Sequence, residues 1–224
     1  MEEAEIQRAF EQGITTLRDL ISPSSIEIQS DHFRLGTKYG RTIYVYGYPR
    51  TLSTGWLSPL INIDEVLDIS IYIYPVDTTV VMKNLRKKVT QLEADISLNA
   101  EKGRIRNPET DAAIQDAEEL RDQLQLGYEK FFRFGLYVTL WADSLDELNY
   151  VQHKIETMFG QLMIFSKVAT SQQEQGMNTT MPMATDQLQI RRNMNTSAIS
   201  TSFPLTSADL TQERGILYGV NMHN

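Results

Sequence analysis

The 224-residue sequence has no cysteine and only three histidines. Without thiols it can form neither a disulfide bond nor a thiolate metal site. The histidines His32, His153 and His223 have no partner at metal-ligand spacing. No apolar run approaches the ~20 residues that a membrane-spanning helix needs. The sequence therefore predicts neither a metal centre nor a transmembrane helix.

The common motifs for nucleotide binding and hydrolysis are also missing. The sequence contains no Gly-Lys pair, so it cannot form the G-x-x-x-x-G-K-[ST] loop that cradles nucleotide phosphates. It has no G-x-S-x-G and no H-E-x-x-H motif. The stretch "GTKYG" at 36–40 is too short for a phosphate loop and predicts a tight hairpin turn. We therefore expect no catalytic, cofactor-binding or metal-binding residue.

Basic residues are fewer than acidic ones, with 21 Lys and Arg against 29 Asp and Glu, and the formal net charge is −8. This balance argues against a broad basic surface for nucleic acid. The first residues, "MEEAEIQRAF", are acidic and amphipathic, unlike the basic and apolar start of a signal peptide. Together with the missing cysteines, this start favours a cytoplasmic location.

The first predicted lobe spans residues 1–62. Apolar residues at helical spacing predict a helix over 2–20, which "SPSS" ends. Alternating and β-branched residues then predict strands at 25–29, 32–36 and 42–49, with turns at 29–31 and 37–41. These three strands predict an antiparallel meander.

The second predicted lobe spans 63–166. It begins with a strand over 66–76, where Leu67, Ile69, Ile71 and Ile73 alternate with polar residues and predict one buried aliphatic face. A strand over 131–143 follows a helical hairpin, and a helix follows that strand. Ser144 and Glu147 form a capping box at the start of this helix, and a short strand at 161–166 follows it. The order predicts an α+β fold, an antiparallel meander plus a split-βαβ-like sheet with a long helical hairpin.

The hairpin is predicted over 77–131. Each of its two helices carries an apolar stripe with steps of three and four residues, Val81, Leu85, Val89, Leu92 and Ile96 in the first and Ala113, Ala117, Leu120, Leu124 and Tyr128 in the second. We expect it to pack on itself and on one face of the sheet. Its outer face, with Lys87, Glu118 and Arg121, should be solvated or available to a partner.

The remaining residues, 167–224, are rich in Gln, Asn, Thr, Ser and Met. They predict short helices and loops, followed by a strand in "GILYGV" at 215–220. The two glycines weaken this strand, so we expect it to need partners within this lobe or beyond residue 224.

Three residues are candidate contacts for a partner protein. Trp56 lies in a loop with Gly55 and Pro59, whereas Trp141 ends a predicted strand and is expected in the core. Lys87 and Arg121 are the other two candidates. An alternative class of function, a self-contained enzyme, would need a site assembled from the scattered polar residues Asp68, Tyr72, Arg133 and Asp143.

Several segments, taken in order, resemble a known family. They are "LRDLISPSSIEI", "YVYGYPRTLSTGWLSPLI", "ISIYIYPVD" ahead of the hairpin, "SAISTSFPL" and "GILYGVN". This order is similar to the N-terminal domain of the ATPases of type IV secretion and conjugative transfer, the TraC/TrbE/CagE-like group. The resemblance covers nearly the whole chain.

The resemblance implies a domain whose ATPase motor lies downstream of the "GILYGVN" segment, so that ATP and Mg would belong to the motor. It implies a protein on the cytoplasmic side and peripheral to the inner membrane, often hexameric, that energises pilus assembly and the transfer of DNA or protein. The N-terminal domain would dock the motor onto inner-membrane channel components. Direct nucleic-acid binding by this domain is not expected.

Overall fold

The structure, a computed structural model, describes Pro23 and residues 25–101 and 108–204. Within them it has the α+β architecture predicted from the sequence. The elements in chain order are β1 Ile26–Ile28, β2 Phe33–Leu35, β3 Lys38–Gly47, α1 Ser58–Ile61, β4 Leu67–Val76, α2 Thr78–Glu101, α3 Pro108–Gln125, β5 Phe131–Ala142, α4 Leu145–Gln161, β6 Phe165–Val168, α5 Gln173–Thr180, β7 Arg192–Asn195 and α6 Thr196–Ser200. The helix predicted over 2–20 and the strand predicted over 215–220 lie outside the described residues.

The described strands form one antiparallel sheet in the order β1-β2-β3-β5-β4, with β6 also paired to β3 and β7 also paired to β5. The meander of β1, β2 and β3 is confirmed. The turn predicted at 37–41 is wrong, because Leu35 already pairs with Lys38 and the turn needs only Gly36 and Thr37. Gly40 is instead a strand residue. A Cβ atom there would lie 2.3 Å from the Phe33 ring, so glycine lets that ring cover the strand.

The split-βαβ arrangement is present in β5, α4 and β6. Strand β3 pairs antiparallel with both β5 and β6, so those two strands run parallel with β3 between them.

Helix α4 begins with the predicted cap, in which the Ser144 side chain accepts a hydrogen bond from the backbone N–H of Glu147. The Glu147 carboxylate reaches back to the backbone N–H of Asp143 at 2.8 Å. Strand β6 begins at Phe165, later than the predicted 161, because residues after α4 form a turn with Met163 at φ 55°.

The aliphatic face of the sheet carries the main core. Helix α4 buries the predicted stripe of Leu148, Val151, Ile155 and Phe159 against it. Leu67, Ile69 and Ile71 pack against the same core but are only partly buried, and Ile73 is 46% exposed. The predicted aliphatic face of β4 therefore does face the core at its first three residues, and it is wrong only at Ile73. Burial is incomplete because β4 is an edge strand paired only with β5 among the described residues.

The opposite face of the sheet is lined by tyrosines and threonines, and the polar segment after β6 covers part of it. The hydroxyl of Thr139 lies 2.7 Å from the hydroxyls of both Thr42 and Thr180. The Gln173 side chain bonds both backbone groups of Thr42. Helices α5 and α6 fit the predicted short helices, but β7 was not predicted. One sheet thus combines strands from all three predicted segments.

The helical hairpin of α2 and α3 is confirmed, with arms of 24 and 18 residues. Val81, Val89 and Leu124 are buried in it. Two members of the predicted stripe are misplaced: Ala113 is exposed, and Tyr128 follows the end of α3 and is 78% exposed. The hairpin contacts mainly itself, and α4 and α5 cover the sheet instead. The expectation that the hairpin lies on a sheet face is therefore wrong.

Candidate functional site

Trp56 is in the core rather than at the surface as predicted, and Trp141, predicted in the core, is only half-buried. Trp56 is buried, with 4% of its surface exposed, and its ring meets that of Tyr48 edge-to-face at 5.8 Å. The loop folds inward because the next residue, Leu57, and Leu60 of α1 are fully buried in the same core. Trp56 is therefore not available to a partner in this conformation. Trp141 is half-buried, and its Nε1 donates to Asp68 Oδ2 at 2.6 Å.

The other two predicted contacts lie on the hairpin. Lys87 is exposed on α2, and Glu118 is exposed on α3. Arg121 is one-third exposed, and its guanidinium contacts Asp122 at 3.2 Å. The structure therefore keeps Lys87 and Arg121 at the surface but places Trp56 in the core.

The four residues of the alternative enzyme hypothesis do not form one site, and those that make side-chain contacts have different partners. Asp68 accepts from Trp141, and Tyr72 donates its hydroxyl to the backbone carbonyl of Thr179 at 2.8 Å. Asp143 pairs with Lys38 at 2.6 Å, and Arg133 is exposed. No hydrogen bond in the described part of the chain joins any two of these four side chains. Within the same residues, no group of three or more His, Cys, Asp or Glu side chains could hold a metal ion.

A first cleft of ≈ 360 Å³ lies between β3 and α4, around Arg41. The Arg41 guanidinium is buried, and each of its three nitrogens donates at least one hydrogen bond. It donates to the backbone carbonyl and the carboxylate of Asp31 at 2.8 and 2.9 Å, and to the side chains of Asn149 and Gln152 at 2.8 and 2.5 Å. Because four of its five N–H donors already have acceptors within the chain, we interpret Arg41 as a residue that joins the sheet to α4 rather than as a ligand site.

A second and larger cleft, of ≈ 570 Å³, lies at the base of the helical hairpin, and we call it the hairpin-base cleft. Strands β3 and β7 pair with the same edge of β5, one after the other. The pairing of β3 ends at Tyr44, and β7 pairs only with residues 131–134 of β5, so the cleft forms where β3 diverges from β5. The end of β3 and the loop after it form one side, β7 and α6 another, and α3 a third. Its apolar walls are Tyr46, Tyr48, Leu52, Leu120, Phe131 and Met194.

The charged residues that line this cleft are both arginines, Arg50 and Arg192. Arg50 forms an ion pair with Asp116 of α3, and these side chains are 70% and 53% exposed. The Nε of Arg192 donates to the backbone carbonyl of Tyr46, which ties β7 to the end of β3. Both charged side chains that line the cleft are therefore cations, one of which is paired with a neighbouring carboxylate, in a chain whose net charge is −8.

Tyr48 contributes a polar atom without a partner. Its hydroxyl is buried and makes no hydrogen bond within the described residues. Burial raises the pKa of this phenol, the neighbouring Tyr137 raises it further, and the charge of Arg192 opposes the rise. The hydroxyl is therefore a neutral donor at physiological pH.

Sequence reasoning missed this cleft because its walls come from distant parts of the chain. They include residues 46–52, Leu120 of α3 and the stretch 192–198. The adjacent pair Arg191 and Arg192, basic residues in an otherwise polar and neutral stretch, was the signal available in the sequence.

A comparison with protein-family models finds no match for this chain, and a comparison with curated proteins finds none either. Within the residues that the structure describes, no helix combines the length and hydrophobicity needed to cross a bilayer.

Proposed function

We propose that this chain is the docking and assembly domain of an ATPase of type IV secretion or conjugative transfer, and that the domain itself is not catalytic. The observation that carries the proposal is the order of the family-like segments along the chain, from "LRDLISPSSIEI" to "GILYGVN". The missing phosphate-binding loop supports it, since ATP would then bind in a motor domain outside these 224 residues.

The helical hairpin supports a docking role. Its two arms pack mainly against each other, with Val81, Val89 and Leu124 buried, and leave the outward positions of both helices exposed. Arms of this length extend roughly 27 to 36 Å at the helical rise of about 1.5 Å per residue. A two-helix arm inserted between neighbouring strands can reach a partner without disturbing the sheet. We propose that Lys87 on α2 and Arg121 on α3 contact inner-membrane components of the channel.

Two observations in the native gene and cell test this function. The coding sequence downstream of Asn224 should contain a G-x-x-x-x-G-K-[ST] motif, and its absence from the native gene would contradict the proposal. A photo-crosslinking residue at Lys87 in the native protein should join the chain to an integral membrane protein of the secretion channel. The same residue at Arg34, which is exposed on β2, serves as the control and should give no such product.

A further inference from the structure

The hairpin-base cleft combines features of a peptide-binding site. It has aromatic and aliphatic walls, two arginines, and one buried hydroxyl without a partner. Binding grooves in proteins are typically mostly apolar, with a few polar groups that fix the orientation of the ligand. Both charged groups that line this cleft are cations, so its charge is complementary to an anion.

The chain itself shows which kind of anion Arg50 accepts. The carboxylate of Asp116, from the neighbouring helix α3, already pairs with the guanidinium of Arg50. Arginine recognises carboxylates through its planar fork of donors. Because both side chains are more than half exposed, this ion pair contributes little and another carboxylate can replace it.

We propose that the hairpin-base cleft binds an extended acidic segment of a partner protein, one of whose carboxylates replaces Asp116 on Arg50. A second carboxylate of the segment approaches Arg192, and its apolar side chains pack against Tyr48, Leu52 and Met194. Nucleic acid fits this cleft less well, because two arginines within a chain of net charge −8 do not form a path for a phosphate backbone. The proposal rests on the cleft alone and does not depend on the secretion assignment.

Replacement of Asp116 has a structural consequence. The pair between Arg50 and Asp116 connects α3 to the loop after β3. An incoming carboxylate on Arg50 would release this connection at the base of the hairpin.

The test uses the full 224-residue chain and a fluorescein-labelled eight-residue peptide of alternating Asp and Leu, measured by fluorescence anisotropy at low salt. The matched peptide carries Asn in place of Asp. We expect saturable binding of the acidic peptide only, weakened by added salt. Arg50→Gln and Arg192→Gln should each weaken it about 2- to 5-fold, as expected for the loss of one exposed ion pair.

Two further variants sharpen the result. Asp116→Asn removes the competing carboxylate and should tighten binding about 2- to 3-fold, the size of an exposed ion pair. Arg34→Gln, the same substitution on exposed β2, should leave the affinity unchanged. Circular dichroism and thermal melting check that each variant is folded, which we expect because the substituted side chains are exposed.

Several outcomes would overturn the proposal. If the Asn peptide bound as tightly as the Asp peptide, charge would have no role in binding. If Arg50→Gln and Arg192→Gln both bound the Asp peptide with native affinity, the peptide would bind outside this cleft. Absence of binding in every variant would show that the cleft takes no such segment. Binding that appears only when Glu2, Glu3 and Glu5 are changed together to Gln would identify the chain's own acidic N-terminal residues as the occupant instead of a partner.

Discussion

A Cβ atom placed on Gly176 would lie 2.6 Å from the Cβ of Thr42, so α5 rests on β3 with no room for a side chain between them. This close contact brings the hydroxyl of Thr180 within 2.7 Å of Thr139 on the sheet. The polar segment after β6 is thus packed on the sheet through small residues and buried hydroxyl groups.

Gly176→Ala should therefore destabilise the protein. The added methyl group would push α5 away from Thr42, and this overpacking should lower the free energy of unfolding by about 1–2 kcal/mol, even after the gain in helix propensity. Gly160→Ala is the matched control, because a Cβ there meets nothing within 4 Å. It should be neutral or stabilising by up to about 1 kcal/mol. Urea unfolding of both variants measures the difference, and equal stability would contradict the close packing of α5.

Leu124→Ala should loosen the base of the hairpin. Leu124 is the buried residue at the end of α3, with 4% of its surface exposed. Truncating it leaves a cavity and should lower the free energy of unfolding by about 2–3 kcal/mol. Tyr128→Ala, just beyond the helix and largely exposed, should change it by less than about 0.5 kcal/mol. A loss at Tyr128 as large as that at Leu124 would show that the hairpin packs differently.

The two tryptophans should report different environments in fluorescence. In Trp141→Phe, the remaining Trp56 is buried against Tyr48 and should emit at short wavelength with little quenching by acrylamide. In Trp56→Phe, the remaining Trp141 is half-exposed beside Asp68 and should emit at longer wavelength and be quenched more strongly. The reverse order would restore the sequence-based expectation that Trp56 is the surface residue.

Asp31 should make stability depend on pH in the acidic range. Its hydrogen bond with His32 lowers the pKa of Asp31 below the ordinary 3.8. Burial opposes this effect, and the charge of Arg41 adds a weaker lowering. A lowered carboxyl pKa contributes stability that is present above pH 3.8 and is lost as pH falls through the folded-state pKa. The stability difference between native protein and Asp31→Asn should therefore shrink below about pH 4. A difference that stays constant from pH 7 to about pH 2 would contradict this role.

The 224-residue chain should not bind Mg-ATP appreciably, because its sequence contains no Gly-Lys pair and hence no phosphate-binding loop of the usual kind. Isothermal titration calorimetry measures this directly. A dissociation constant in the micromolar range would contradict the proposal that this domain is not catalytic.

Much of the fold follows from local patterns in the sequence. The capping box at Ser144 and the stripe from Leu148 to Phe159 depend only on residues within a few turns of one helix, and the structure contains both. The alternation in β3, β4 and β5 predicts strands for the same reason. Element ends were predicted less well, as the turn before Lys38 shows, because a two-residue turn and its flanking strand residues share the same composition.

The sequence by itself determined the α+β class, the hairpin of α2 and α3, the aliphatic stripe of α4, and the lack of a phosphate loop. These features depend on periodicity and composition within short windows. The tertiary structure alone decided that Trp56 is buried, that β7 pairs with β5, and that Arg50 and Arg192 meet at one cleft. Those outcomes join residues as far apart as 50 and 192, and burial and pairing at such separations depend on how the whole chain packs rather than on any local pattern.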